Sequence, residues 1–481
     1  MKASSPESIA DALFEAEAMA VEEAPLRRPA STYRLQLHRE FRLEDVERIL
    51  PYLHALGISD AYLSPHLDAR PGSTHGYDVF DHGRLNDEIG TDDQYDRLRD
   101  QMESLGMGRV LDIVPNHMGI GGFNRFWIDV LESGPQAPAE RFFDIDWNPV
   151  KDELEGRVLL PILEDQYGVV LERGLLKLER EGGAFYIRYY DNRLPVSPRS
   201  YGLILSQRKE ELNERFDRND ERVMEYRSIR DSARNLPPRT ETDAELVEPK
   251  LREKEVIKRR IARLCSESPE VCRFLDENIA LFHGTPGDPS SFDLLHELLE
   301  DQVYRLAYWR VAAEEINYRR FFDINDLAGL RTEDPLVFDA IHELIFQWVY
   351  RGGVTGLRID HPDGLADPPG YFEALQEALL LNACRKRFDA EGGKAEDWPA
   401  IEPQIRRRYR ETAQADPSAP LSRRFPVVAE KILSRGEDLP EIWPIDGTVG
   451  YEYLNALNGL FIDPTASESI DATYTEFTSD D

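Results

Sequence analysis

The sequence runs to 481 residues with a formal net charge of −33, a hydrophobic content of 41%, and 31 prolines beside 31 glycines. That acidity excludes nucleic acid and an anionic membrane surface as partners, since both would be repelled, and no apolar run reaches the length of a membrane span. The length fits one large domain carrying an insertion, or two to three domains.

Lysine is scarce beside arginine, and the acids are spread along the chain rather than gathered in a tail. Two readings of this stay open: a protein kept soluble in high salt, where screening removes self-repulsion, and an ordinary acidic enzyme. The three cysteines, Cys265, Cys272 and Cys384, show no metal-ligand spacing and suit a reducing compartment, so a cytoplasmic location is expected.

Residues 1–30 are acidic and alanine-rich, without the basic start and apolar core of a signal peptide, and read as a ragged or short helical lead-in. Residues 31–37 (STYRLQL) read as a strand. Leu43, Val46, Ile49, Leu50, Leu53 and Leu56 then recur at helical spacing, and Gly57 closes that helix. A second strand at 58–63 ends in SPH and is followed by a polar, glycine-bearing loop over 68–90. Thr91 is placed to cap a helix reaching Leu105, and 108–114 (GRVLDIV) is a third strand. Strand and helix alternate, the pattern of a parallel sheet or barrel.

The rhythm stops after Met118. Residues 119–330 read as a mostly helical inserted domain, with short β-like pieces at 157–163 and 185–190 and a charged helical stretch over 207–261. Within that stretch 250–263 is expected to be a solvated helix. Two further helices are expected at 271–282 and 292–313. The alternation resumes over 331–481, after a first barrel part at 31–118. Asp334 and Pro335 start a helix reaching Tyr350, and 353–369 (GVTGLRIDHPDGLADPP) holds a fourth strand. A helix follows at 370–387, and 389–419 reads as a long exposed connection. A fifth strand, FPVVA, ends in Glu430, and 448–454 is a candidate sixth. The expected fold is therefore an α/β, TIM-type (β/α)8 barrel, incomplete with about six strands present, and carrying a large insertion after the third.

The chemistry gathers at strand ends. Arg358 and Asp360 alternate with Leu357 and Ile359, so both point to one side of their strand. They read either as an ion pair closing a strand or as a reactive carboxylate beside a fixed cation. Glu430 ends the neighbouring strand. Retaining glycosyl transfer needs two carboxyl groups about 5–5.5 Å apart, and adjacent strands lie about 4.8 Å apart. One group attacks the anomeric carbon; the other protonates the departing oxygen. Arg358 is expected to keep Asp360 ionised. His75 and Tyr77 after the second strand, with Asp112, Asn116 and His117 at the third, offer an aromatic face and neutral donors suited to a sugar ring. Taken singly, each also fits a core, capping or buried-histidine role.

DIVPNH at 112–117, GLRIDH at 356–361 and the Glu430 of VVAEKIL resemble the first three signature regions of the α-amylase family, glycoside hydrolase family 13. STHGYDV at 73–79 is similar to its sugar-stacking loop. RRFFDINDLAGLR, GLRIDHPDGLADP, FPVVAEKIL and GTVGYEYLNALNGLF are similar to its glucosylmutase branch, over about residues 32–464.

The resemblance implies Asp360 as nucleophile, Glu430 as acid/base and Arg358 as the nucleophile's partner. It implies His75, Tyr77, Asp112, Asn116, His117, His361 and Asp363 as substrate contacts. The implied reaction turns the reducing-end α-1,4 link of a maltooligosaccharide, an α-1,4-glucan, into an α,α-1,1 link without a cofactor. Asn116 matches a calcium ligand in some amylases, but no matching carboxylate cluster accompanies it and no metal is expected.

One departure matters. The family's third catalytic carboxylate, an Asp after the seventh strand, has no counterpart downstream of Glu430. The chain alone is therefore expected to be inactive or weak, with a complementary chain as a candidate partner. Two alternatives stay open: another α-glucan hydrolase or transglycosidase of the family, and a non-catalytic glucan-binding or split-enzyme subunit.

Overall fold

Six short strands set the frame: β1 (Thr32–Leu35), β2 (Asp60–Leu63), β3 (Gly108–Ile113), β4 (Gly356–Ile359), β5 (Val427–Ala429) and β6 (Gly447–Thr448). In this computed structural model, which describes residues 5–23, 27–217, 220–241, 243–416 and 419–479, they form one sheet. They pair in parallel in the order β1-β2-β3-β4-β5-β6. Strand order equal to chain order is barrel topology, here left open between β6 and β1. All of β3 and all of β4 are buried, as strands covered on both faces must be.

Between the strands run α2 (Leu43–Ala55), α3 (Asp92–Ser104), α4 (Pro335–Arg351) and α5 (Pro368–Ala390). Thr91 accepts the Gln94 backbone N–H while the Gln94 side chain returns to the Thr91 amide, a reciprocal cap for α3. Asp334 accepts the Leu336 N–H at 2.9 Å and Asp367 the Gly370 N–H at 3.1 Å, starting α4 and α5. No described helix is long and apolar enough to cross a membrane.

The chain divides into two compact units: residues 1–77, 82–116 and 339–481, and residues 78–81 with 117–338. The first holds the six-stranded sheet. The lead-in is helical, the second of its two readings, and longer than expected at 18 residues, α1 (Pro6–Glu23); the expected exposed connection is corrected, since it contains another helix, α6 (Trp398–Ala415). Ala10, Leu13 and Phe14 meet Leu380, Cys384 and Phe388 of α5 and Trp398, Ile401, Ile405 and Tyr409 of α6 in one cluster. The four apolar residues of α6 make a single narrow stripe in an arginine-rich helix, too thin to stand out against its prolines. Glu17 is buried at 3% exposure, with Arg387 Nε at 2.8 Å and Arg424 Nε at 3.1 Å. Glu377 is matched likewise by Arg406 at 2.6 Å and Arg410 at 2.8 Å.

The candidate sixth strand is shorter than expected. After Gly447–Thr448 the chain turns at Gly450, φ +96°, into α7 (Tyr451–Gly459), followed by α8 (Ser467–Thr478). Neither helix buries a residue, and Leu460, Phe461 and Phe477 are 78%, 85% and 88% exposed.

The second unit contains helices Glu221–Asn235, Ala244–Glu267 and Pro269–Ala280, with small sheets beside them. Here too two expectations give way. The helix expected over 292–313 ends at Glu300, and Tyr304–Tyr308 is a strand paired with Val158–Leu163. Its aromatic and alternating YRLAY pattern favours that pairing over a helix. The 250–263 segment is not solvated on all sides. Lys250 and Lys254 are each 7% exposed, in line with Ile257, Ile261 and Leu264. Lys254 reaches Asp129 and Glu132 at 3.0 Å each, and Lys258 reaches Glu132 at 2.6 Å. A buried lysine with matched carboxylates occupies the core stripe that polarity alone would assign to water.

Candidate functional site

Register decides which side chains meet. Arg358 of β4 pairs directly with Asp112 of β3, and Arg34 of β1 with Tyr62 of β2. Arg358 Nη1 donates to Asp112 Oδ1 at 2.8 Å and to Asp360 Oδ1 at 2.5 Å. One guanidinium thus bridges two carboxylates, and all three residues are buried.

The far oxygen of Asp112 is also taken. Tyr62 donates its hydroxyl to Oδ2 at 2.9 Å and Tyr77 does so at 2.6 Å, while Arg34 stands 3.8 Å away. Arg34 also donates to Tyr77 Oη at 2.7 Å. Asp112, 1% exposed, is therefore an anchor for its neighbours rather than an open contact. Arg34 and Tyr62 were not singled out from the sequence. The available signal was a large polar-tipped side chain in each of two short strands, the first exposed at three of its four residues and the second mostly buried.

Burial sets the electrostatics. It pushes Asp360 up to about 6, with Arg358 pulling the other way and Asp112 and Glu430 adding to the rise. Arg358 pulls toward the ionised form, as expected, but desolvation outweighs the ion pair. Asp360 is nonetheless mostly ionised at pH 7. Asp112 is likewise raised by burial, against Arg358 and the two tyrosines. Burial raises Tyr62 and Tyr77, and the nearby Asp112 charge raises both further, so both stay protonated donors.

Glu430 follows β5. Its backbone N–H donates to Ile359 O at 2.8 Å, and that of Asp360 to Ile113 O at 2.9 Å, so both carboxylates continue the ladder one step past the strands. His361 sits in the left-handed region, φ +45°, and its backbone N–H donates to Glu430 Oε2 at 3.2 Å. A non-glycine residue held there costs about 1 kcal/mol or more. Asp363 is ion-paired with Lys431 at 3.1 Å, and Lys431 also meets Glu437 at 2.6 Å. Lys431, 7% exposed, is a third residue not singled out from the sequence.

His75 is exposed; its Nδ1 accepts the Tyr77 N–H at 3.1 Å, and the two rings stack at 6.0 Å. Asn116 is 1% exposed and lies against Gly364, where an added Cβ would fall 2.5 Å from Asn116 Oδ1. Gly364→Ala is expected to displace Asn116 and cost about 1–3 kcal/mol by overpacking, measured by urea denaturation against wild type. His117 belongs to the second unit, where it pairs with Gly329 and its ring lies 4.4 Å from that of Phe321. Among the described residues no group of three His, Cys, Asp or Glu side chains is arranged to hold a metal ion.

The chain is similar to several known proteins. Residues 42–195 match the alpha-amylase catalytic domain. A putative maltooligosyl trehalose synthase of Mycobacterium tuberculosis is 31% identical over 450 residues, covering 92% of this chain and 40% of that protein. The structure of maltooligosyltrehalose synthase from Arthrobacter ramosus superposes with a TM-score of 0.58 at 29% identity, covering 94% of this chain and 41% of that one. A hypothetical maltooligosyl trehalose synthase of Sulfolobus tokodaii superposes at 0.56 with 26% identity, covering 94% of this chain and 42% of that one. The chain spans about two fifths of the length of these relatives.

Proposed function

We propose that this chain, a homologue of maltooligosyl trehalose synthase in the alpha-amylase family, carries the nucleophile and the acid/base of a retaining glycosyl transfer on α-1,4-glucans. The observation that carries the proposal is the placement of Asp360 and Glu430 one residue past two neighbouring parallel strands, β4 and β5. That spacing suits the separation of about 5–5.5 Å a covalent glycosyl intermediate needs.

In this reading the Asp360 carboxylate attacks the anomeric carbon at the reducing-end link while Glu430 gives a proton to the departing oxygen. Arg358 takes no part in bond making. Bridged to Asp112, it fixes the direction of Asp360 and balances its charge, which disperses as the ester forms. Glu430 then accepts the proton of the attacking hydroxyl. In the mutase form of the reaction that hydroxyl is the C1 hydroxyl of the glucose just released, so this glucose must stay bound and turn before water enters. Tyr77 with His75 supplies an aromatic edge beside the charged cluster.

The test uses covalent trapping. From α-maltosyl fluoride the fluoride ion leaves without acid help as the Asp360 oxygen bonds to C1, so the Glu430→Gln chain should accumulate a maltosyl ester on the peptide bearing Asp360, read by mass spectrometry. Asp360→Asn should not label. An ester elsewhere, or none on Asp360, overturns the proposal. On maltopentaose, loss of reducing ends at constant chain length supports the mutase form, and rising reducing sugar assigns hydrolysis instead.

A further inference from the structure

One buried cation of the first unit takes no part in the cluster around Asp360. Arg109, the second residue of β3, is 0% exposed. It stands three residues before Asp112, so alternation along the strand turns it to the other face of the sheet, toward α3. There its guanidinium lies over the Tyr95 ring, 4.4 Å from the centroid, and Tyr95 stacks in turn on Trp348 of α4 at 4.7 Å. The ring of His66, which follows β2, meets that of Tyr95 edge-on at 5.8 Å. All four residues are buried.

None of the three guanidinium nitrogens of Arg109 has a hydrogen-bond partner among the described residues. The carboxylates of its own and adjoining elements are engaged elsewhere. Asp112 is held by Arg358, Asp60 of β2 by Thr355 and Arg27, and Asp96 beside Tyr95 by Arg99. The Tyr95 hydroxyl and His66 Nε2 lack partners as well. His66 Nδ1 lies 2.8 Å from Ser64 O, and a carbonyl only accepts, so Nδ1 carries the ring proton and Nε2 is an acceptor. Burial and then the Arg109 charge push His66 down to about 3, which keeps its ring neutral.

A buried charge escapes its desolvation cost by pairing or by losing its proton. Arginine does not lose its proton in a protein, and one aromatic face does not replace the hydration of a full charge. A counter-charge therefore belongs beside Arg109. The group is closed off from solvent, which admits only a small occupant, and one positive charge calls for one negative charge.

We infer that Arg109 and the Tyr95 hydroxyl form a binding site for a monovalent inorganic anion of about the size of chloride, in the layer between the sheet and α3. The guanidinium N–H groups and the tyrosine O–H donate to the ion. A water giving one hydrogen to the ion and the other to His66 Nε2 completes the set. The site is structural, on the face of β3 turned away from Asp112, and the ion stabilises the folded state by binding to it alone.

The test compares urea denaturation of the intact chain in sodium chloride and in sodium gluconate at equal ionic strength, which holds the screening of the −33 net charge constant. Gluconate is too large for an enclosed site. Chloride at about 100 times its dissociation constant should favour the folded state about 100-fold over gluconate, and the dependence on concentration should follow a single site. Bromide should act as chloride does. Arg109→Met, an apolar side chain of similar reach, should be equally stable in both salts, and Tyr95→Phe should weaken the apparent affinity about tenfold. Should Arg109→Met fail to fold, wild type decides: crystals grown in sodium bromide should show anomalous scattering beside the Arg109 guanidinium. Equal stability of wild type in the two salts, a chloride effect that Arg109→Met retains, or water alone beside Arg109 in the bromide crystals overturns the inference.

Discussion

Asp360→Asn is expected to make the folded chain more stable at pH 7, by about 2–3 kcal/mol, while abolishing covalent capture of sugar. The reason lies in the sign of the shift. Burial pushes Asp360 from an ordinary 3.8 up to about 6, past the opposing pull of Arg358. The folded state therefore binds this proton more tightly than the unfolded state. The contribution of Asp360 to stability is fully present below about pH 4, falls as pH rises through about 6, and stays lost above it. Asparagine resembles the neutral acid and escapes the charged form's burial penalty. Urea denaturation of wild type and variant from pH 4 to 8 should show the difference growing across that window and nearly vanishing at its acid end. Equal or lower stability of the variant at pH 7 would mean that the Arg358 ion pair outweighs desolvation.

Arg358→Met is expected to cost about 3–5 kcal/mol, the larger effect of the two. Arg358 bridges Asp112 and Asp360 at 2.8 and 2.5 Å with little exposure of any of the three. Although burial alone would lower it, Asp112, Tyr62 and Asp360 hold the guanidinium above its ordinary range. Without it, two buried carboxylates face each other with only Tyr62, Tyr77 and the more distant Arg34 to compensate. One of the pair must then take up a proton, which moves the acid limb of any Asp360-dependent labelling toward higher pH. Adding Asp112→Asn to Arg358→Met removes one of the stranded charges and should recover part of the loss, by 1 kcal/mol or more as an order-of-magnitude expectation. Both changes are read from denaturation midpoints, with the double-mutant cycle isolating the pair. A strictly additive double variant would place the energetic role of Arg358 elsewhere.

These expectations start from residues that were legible in the chain. Alternation within GLRID puts Arg358 and Asp360 on one side of a strand, and strand–helix alternation puts Glu430 on a neighbour. Period and capping chemistry likewise located α2, α3 and α4, because Thr91 and Asp334 act within three residues of the turns they cap. Such features are local, and a local pattern is enough to determine them.

Contacts between distant segments were a different matter. Arg34 and Tyr62 look like polar interruptions in two short strands until register sets them beside Asp112. Lys254 reads as solvated until its helix turns it toward Asp129 and Glu132. The thin apolar stripe of α6 gains meaning only against α1 and α5. By itself the sequence determined the strand–helix order and which carboxylates stand at strand ends, since backbone period and side-chain alternation are properties of neighbouring residues. Only the tertiary structure decided which charges are buried together and that desolvation outweighs Arg358 at Asp360, because the cost of burying a charge depends on every segment that excludes water from it.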